Sequence, residues 1–309
     1  MYDNLDLILK KDTCNNINFI EQTPQYLTNV STVGQSQYGD YITGYLDNLK
    51  VSISDNRVKI YDSSICKYYL GNNFKTLSKG DTQKAIQKIS DYLHLPFYNS
   101  DVTRIDFSQN MIMKYDTKVY FSYLGEAQYY NRLEQNNGLY YNNQKRQLLF
   151  YGKVQEQTLK GQNIPELYKN RNVLRFEMRF RKRLSQQLNQ PEIKAKLLYD
   201  EEFYKYLVKR WKNEYLSIQK INSKLKTMQP TGSQKQLIDN LALLTVLEIG
   251  QPNILNKIKE WQISGKISKK QAYDLRLKIK QISNIPKNKN DNEIIKELDK
   301  KIKETARNW

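Results

Sequence analysis

The 309-residue chain predicts an α+β fold followed by an all-helical basic region. Three observations carry that expectation. Up to about residue 185, several segments alternate apolar and polar residues with the period of two that a strand imposes. One stretch among them, residues 81–95, repeats apolar positions at helical spacing. Beyond 185 the periodicity becomes helical and lysines accumulate. The expected division is therefore 1–185 and 186–309.

In chain order, LDLILK near the start and the run 46–62 read as strands with hairpin turns. The chain turns at Gly71-Asn72-Asn73. DTQKAIQKISDYLHL then reads as a helix with Asp81 as N-cap, a stripe of Ala85, Ile86, Ile89 and Leu93, and a stop at Pro96. Three more strands are expected: one from Asp101, one ending near Val154 and one from Asn172. A Tyr- and Asn-rich hairpin with a loop fills about 120–143, and a polar connection precedes Asn172. From Pro191 to Leu225 a long basic amphipathic helix is expected. An apolar, buried helix then ends at Gly250, and Pro252 opens the next one. Residues 254–282 read as helix, Gly-containing turn and helix with Ser268 as a cap. NIPKNKNDN is a linker before a last charged helix.

The net charge of +18 favours a polyanionic partner through counterion release from phosphates. Nucleic acid is the first such partner to consider. No apolar run approaches a bilayer span and the first residues lack a signal-peptide layout, so no membrane partner and a cytoplasmic location are expected. Two cysteines, Cys14 and Cys66, exclude a disulfide framework or thiolate cluster, and the single His94 excludes His-rich zinc sites. A metal would have to be held by carboxylates and other oxygens, which suits Mg²⁺ or Mn²⁺.

Strand alternation sorts the remaining candidates. Ile105 and Phe107 share one face of their strand, and Arg104, Asp106 and Ser108 the other. Leu174, Phe176, Met178 and Phe180 face the core, so Arg175, Glu177 and Arg179 face away. Leu148 and Phe150 oppose Leu149, Tyr151 and Lys153. If the three strands are neighbours, one face displays Asp106, Glu177, Tyr151, Lys153 and several arginines. Two carboxylates can hold a divalent cation, a tyrosine hydroxyl can attack phosphorus, and the cations can stabilise developing charge. The competing reading is ordinary: Arg-x-Asp and Arg-x-Glu on strands form cross-strand ion pairs, and tyrosine suits pleated surfaces. The run RFRKRL, with Arg181, Lys182 and Arg183, is either a solvated strand end or a phosphate contact.

VTRIDFSQN (102–110), LLFYGKVQE (148–156) and VLRFEMRFRKRL (173–184), in this order and with KYYLGNNF (67–74) upstream, resemble the gene-two/gene-X family of filamentous-phage replication proteins. The likeness to rolling-circle plasmid Rep initiators is looser. The resemblance implies a rolling-circle-nuclease-like fold, a central mostly antiparallel sheet with flanking helices. It also implies an initiator that nicks one DNA strand at a replication origin and later rejoins it. By motif position the nucleophile falls on Tyr151, forming a 5′-phosphotyrosine, with Lys153 assisting. Asp106 and Glu177 become metal ligands, and the third ligand stays open among Asn73, Ser108, water and His94. Arg104, Arg175, Arg179, Arg181, Lys182 and Arg183 become phosphate or DNA contacts. Partners implied are origin DNA, single-stranded at the nick, with a host polymerase and helicase in the host cytoplasm. Two other functions share these residues: a non-catalytic DNA-binding replication regulator and a plasmid-mobilising relaxase.

Overall fold

The computed structural model describes residues 1–14, 17–36, 39–135, 138–221, 238, 241–242, 245–246, 249–283 and 291–309. The strands are β1 (Tyr2–Lys10), β2 (Thr28–Ser36), β3 (Gly39–Leu46), β4 (Leu49–Ser54), β5 (Arg57–Tyr61), β6 (Asp101–Met113), β7 (Leu124–Ala127), β8 (Asn131–Gln135), β9 (Gly138–Asn142), β10 (Arg146–Gly152), β11 (Asn172–Phe180) and β12 (Ile218–Lys220). The helices are α1 (Phe19–Gln22), α2 (Ile65–Leu70), α3 (Lys79–Leu93), α4 (Thr117–Phe121), α5 (Lys153–Leu159), α6 (Leu184–Gln187), α7 (Glu201–Ser217), α8 (Gln251–Ile263), α9 (Lys269–Ser283) and α10 (Asp291–Asn308).

Ten strands form one sheet in the order β2-β3-β4-β5-β1-β6-β11-β10-β9-β8. Every neighbouring pair in it runs antiparallel. The α+β fold with an antiparallel sheet, flanking helices and a helical C-terminal region is thus as expected. The three motif strands are consecutive neighbours, with β11 between β6 and β10. Their apolar alternation does what period two requires. Phe107, Ile105, Phe176, Met178, Leu148 and Phe150 are all buried on one side. There Phe150 and Phe176 stack at 4.4 Å between centroids, and Trp211 of α7 lies 5.0 Å from the Phe176 ring. Sheet and helix bury each other's apolar faces, so the polar side chains of the same strands are left on the opposite side.

Compact packing divides the chain into Met1–Gln219 with Glu297–Trp309, and Lys220–Lys296. Residues 186–219 therefore lie with the sheet rather than with the helical region that composition marked out, because α7 supplies the core facing β11. The end of α10 also belongs to the sheet unit: Glu297 accepts from the Lys114 backbone N–H at 2.9 Å, and Tyr215 donates to Asp299 at 2.6 Å.

Several boundaries differ from the sequence reading for identifiable reasons. The N-cap of α3 is Ser78, and Asp81 is the reciprocal partner in its capping box. The helix ends at His94 in a left-handed C-cap with φ of 52°. The long helix expected from Pro191 starts only at Glu201, because Asp200 caps it through the Phe203 N–H at 2.8 Å. Within the other unit, Gly250 and Pro252 open α8 as expected. Ser268 exchanges hydrogen bonds with Gln271 at the start of α9. The apolar helix before Gly250 lies in large part outside the described residues. Of those described, Val246 is buried, but Ile238, Leu241 and Ile249 are more than half exposed, so that helix is not buried throughout as expected. Most of NIPKNKNDN also lies outside the described residues. No helix among those described is long and apolar enough to cross a membrane.

Trp211 anchors this core. Trp211→Ala is expected to lower unfolding free energy by about 3–5 kcal/mol, read from the midpoint shift in urea denaturation.

Candidate active site

Cross-strand register brings the polar residues together. Arg175, Glu177 and Arg179 of β11 stand opposite Asn110, Ser108 and Asp106 of β6. On the other flank Arg175 and Glu177 stand opposite Tyr151 and Leu149 of β10. Directly opposed residues in an antiparallel pair project to the same side, so the expected common face forms.

Tyr151 donates its hydroxyl to Glu177 Oε2 at 3.3 Å. Arg175 Nε donates to the same oxygen at 3.3 Å, and Arg179 Nε donates to Glu177 Oε1. Arg104 grips Asp106 in a bidentate pair, Nε to Oδ1 at 2.9 Å and Nη2 to Oδ2 at 2.7 Å. Asn4 Nδ2 adds a bond to Asp106 Oδ2 at 3.1 Å, and Arg179 Nε lies 3.5 Å from that oxygen. Arg179 therefore bridges the two carboxylates. Asp106 and Glu177 are buried, whereas the Arg179 side chain is 22% exposed and borders solvent.

Burial is affordable here because charge is matched: Asp3, Asp106 and Glu177 face Arg104, Arg175 and Arg179. Burial and the Glu177 charge push the Asp106 carboxyl above its ordinary range, against Arg104 and Arg179. For Glu177 burial acts upward too, but Arg179 and Arg175 outweigh it and hold the group below the ordinary carboxylate range. Burial raises the Tyr151 hydroxyl well above its usual 10; Arg175 opposes the rise and Glu177 adds to it. Tyr151 is thus a neutral phenol in this arrangement.

Lys153 reaches the cluster by a different route from the one alternation implied. β10 stops at Gly152, and Lys153 is the first residue of α5. A Cβ on Gly152 would lie 2.2 Å from Gln155 Oε1 and 2.9 Å from Thr117 Oγ1, so a side chain here would displace Gln155 and crowd Thr117 at this tight strand-to-helix passage. The Lys153 ammonium lies 5.9 Å from the Tyr151 ring centroid and 2.9 Å from Glu156 Oε2. Burial and the Arg175 charge lower its pKa to about 8, against the pull of Glu156.

Arg175, expected at a phosphate, is fully buried. Its guanidinium donates to Asp3 Oδ2 at 2.5 Å, Ser108 Oγ at 2.6 Å and the Asn73 carbonyl at 2.9 Å. With its donors committed and solvent excluded, it organises the cluster from within. Arg181, Lys182 and Arg183 lie beyond the end of β11 and are exposed; Arg181 borders the cluster, donating at 3.1 Å to Gln147 Oε1, which it shares with Arg179. His94 is likewise remote from the cluster's contacts, its ring 5.0 Å from Tyr26. Asp3 and Asn4 were missed in the sequence: they precede the clear alternation of β1, and a register shift between Tyr2 and Leu5 turns them toward this face.

All four oxygens of Asp106 and Glu177 accept from guanidinium, amide or phenol donors. Among the described residues no group of three or more His, Cys, Asp and Glu gathers as a metal cage. The donor set as arranged does not fit a divalent ion, because Arg179 holds the position between the carboxylates.

The sheet thus carries a tyrosine and two arginine-held carboxylates on one face, with Lys153 at the start of α5 beside them. Residues 1–214 match the family described as the N-terminal region of the phage replication-associated gene-two protein. The match covers more than half of the chain, and the chain belongs to this family of phage replication proteins. No curated protein matches it.

Removing the central cation should cost more than removing a peripheral one. Arg175→Ala is expected to destabilise the fold by about 3–5 kcal/mol, because buried Asp3 loses its ion-pair partner and buried Glu177 keeps only Arg179. Arg181→Ala, at an exposed position, is expected to change stability by less than about 0.5 kcal/mol. Thermal and urea denaturation of both variants check the contrast.

Proposed function

We propose that the chain is a rolling-circle replication initiator that nicks and rejoins one strand of origin DNA through a covalent 5′-phosphotyrosine on Tyr151. The observation that carries this reading is the Tyr151 hydroxyl, hydrogen-bonded at 3.3 Å to Glu177 in a cluster of matched charges. Family membership supports the replication role. The origin strand, single-stranded at the nick, is the substrate; a host polymerase extending the freed 3′ end and a host helicase follow as partners.

The chain's own groups suffice to describe the proton and charge movements. An incoming phosphodiester draws Arg179, the bordering guanidinium, off Glu177 and onto its own oxygens. Loss of that cation raises the proton affinity of Glu177, which accepts the Tyr151 proton along the existing hydrogen bond. Tyr151 Oη bonds to phosphorus and the bond to the 3′ oxygen breaks; that oxygen takes a proton from water and leaves as a free 3′-OH, while Glu177 returns the tyrosine proton to solvent. Lys153, as an ammonium, and Arg104 offset the negative charge that develops. Rejoining is the reverse attack by a 3′-OH, so phosphodiester energy is conserved. The Mg²⁺ or Mn²⁺ ion that the resemblance implies would need Arg104 as well as Arg179 to leave the Asp106 and Glu177 carboxylates, and no step above depends on it.

A second reading, a non-catalytic DNA-binding replication regulator, draws on the burial that holds the Tyr151 hydroxyl protonated. Nicking of supercoiled origin DNA separates the two. Wild type is expected to nick, and Tyr151→Phe to lose nicking with unchanged folding. Equal nicking by both proteins removes Tyr151 as nucleophile, and no nicking by wild type favours the regulator.

The pH profile gives a further expectation. Lys153 is charged below about 8, so nicking should fall as pH rises through that value. In Lys153→Met the rate should be lower and that inflection absent.

A further inference from the structure

The exposed face of β3, β4 and β5 carries a pattern that nicking chemistry does not use. Their apolar residues Leu46, Leu49, Val51, Ile53, Val58 and Ile60 are buried on the core side. By alternation the opposite face presents tyrosine and cations. Tyr45, Lys50 and Tyr61 form one cross-strand row, and Ser52 and Lys59 stand in the next. Tyr45 is 37% exposed, Lys50 and Arg57 are exposed, and Tyr41, Lys59 and Tyr61 are half-buried. Lys59 Nζ sits over the Tyr61 ring at 4.7 Å from its centroid. A depression of about 440 Å³ opens between Tyr41, Arg57 and Tyr61.

Charge distinguishes this half of the sheet from the Tyr151 half. Around Glu177 every guanidinium is matched by a carboxylate. Among the described residues no carboxylate forms an ion pair with Lys50, Arg57 or Lys59, and Asp6 of β1, the acidic neighbour of Lys59, also faces Arg104. Asp47 and Asp55 lie in the turns, and Asp62, at the end of β5, is taken by Arg104 at 3.0 Å. Cations interleaved with flat aromatic rings on an open sheet suit a polyanion with unpaired bases: lysine and arginine meet phosphates, and tyrosine rings stack on bases. Duplex DNA hides its base faces in the stack, so this surface favours a single strand over a duplex.

We propose that the exposed face of β3–β5 is a track for single-stranded DNA that leads toward Tyr151. The inference rests on the nicking reading for its destination but not for its chemistry. From β5 the sheet continues through β1, β6 and β11 to β10. Four strand spacings amount to ~19 Å, a distance that a few extended nucleotides cover. Arg104, hydrogen-bonded to both Asp62 and Asp106, stands between the track and the cluster. The strand held there is the one unwound beside the scissile phosphate, so binding and positioning act on one continuous face.

Fluorescence anisotropy with a labelled oligothymidine and the full chain tests the track. Tyr61→Ala and Tyr41→Ala are each expected to raise the dissociation constant about tenfold, and Tyr61→Phe, which keeps the ring, to leave it within about twofold of wild type. The double variant Arg57→Gln/Lys59→Gln should reduce the slope of log affinity against log salt by about 1.4, two phosphate contacts' worth. A melting temperature within a few degrees of wild type qualifies each variant; Lys50→Gln replaces any that fails, with a slope loss of about 0.7. Unchanged affinity and slope in the qualified variants would overturn the track, as would an equal dependence on Tyr61 for a blunt duplex. Nicking is read separately on wild type. If wild type forms no adduct but loses strand binding with Tyr61→Ala, the track stands and the phosphotyrosine falls.

Discussion

The buried guanidinium of Arg175 is the constraint on which the site depends. A charge with no exposure is tolerated only when it is paired and hydrogen-bonded on all sides. Arg175 meets that condition by drawing in partners from four separate segments: Asp3 from β1, the Asn73 carbonyl from the loop after α2, Ser108 from β6 and Glu177 from its own strand. None of these contacts is local except the last. The start of β1 and the 71–74 loop are thereby tied over the polar face, and Glu177 is presented to Tyr151 in one orientation. A lysine could not replace it, since a single ammonium lacks the planar fork that serves several acceptors at once.

Around that hub the three arginines divide their work by exposure. Arg175 is enclosed, Arg104 is 16% exposed and Arg179 is 22% exposed. The most accessible of them is also the one shared between Asp106 and Glu177, so an anion arriving from solvent meets the cation that acts most strongly on Glu177. In the proposed nicking reaction, substrate binding and activation of the Tyr151 proton acceptor would be one event. Gly152 supports the same arrangement from the other side, since the tight passage from β10 into α5 places Lys153 beneath the Tyr151 ring.

Much of this was legible in the sequence because period two is a strong signal on strands whose apolar side is wholly buried. Alternation in VTRIDFSQN, LLFYG and VLRFEMRF separated Phe107, Phe150 and Phe176 from Asp106, Tyr151 and Glu177, whereas the adjacency and register of the strands are seen only in the fold. What escaped was set by tertiary contact. Lys153 looked like one more strand residue because nothing local marks the turn at Gly152 apart from the glycine itself. Arg175 looked like a DNA contact because an arginine's period cannot tell an open face from one covered by a distant loop. Asp3 lies before a register shift that no local pattern announces, and α7 was read as too long because the Asp200 cap was passed over. The final helix read as a separate charged element, yet Leu298 and Ile302 are buried and Asp299 pairs with Tyr215.

The central claim is that Tyr151 becomes covalently joined to DNA. The most direct measurement is to trap the protein on an origin oligonucleotide, digest the adduct with protease, and identify by mass spectrometry which peptide carries the nucleotide. A 5′-phosphate on the peptide containing Tyr151 is the predicted result. An adduct on a peptide bearing any other tyrosine would contradict it.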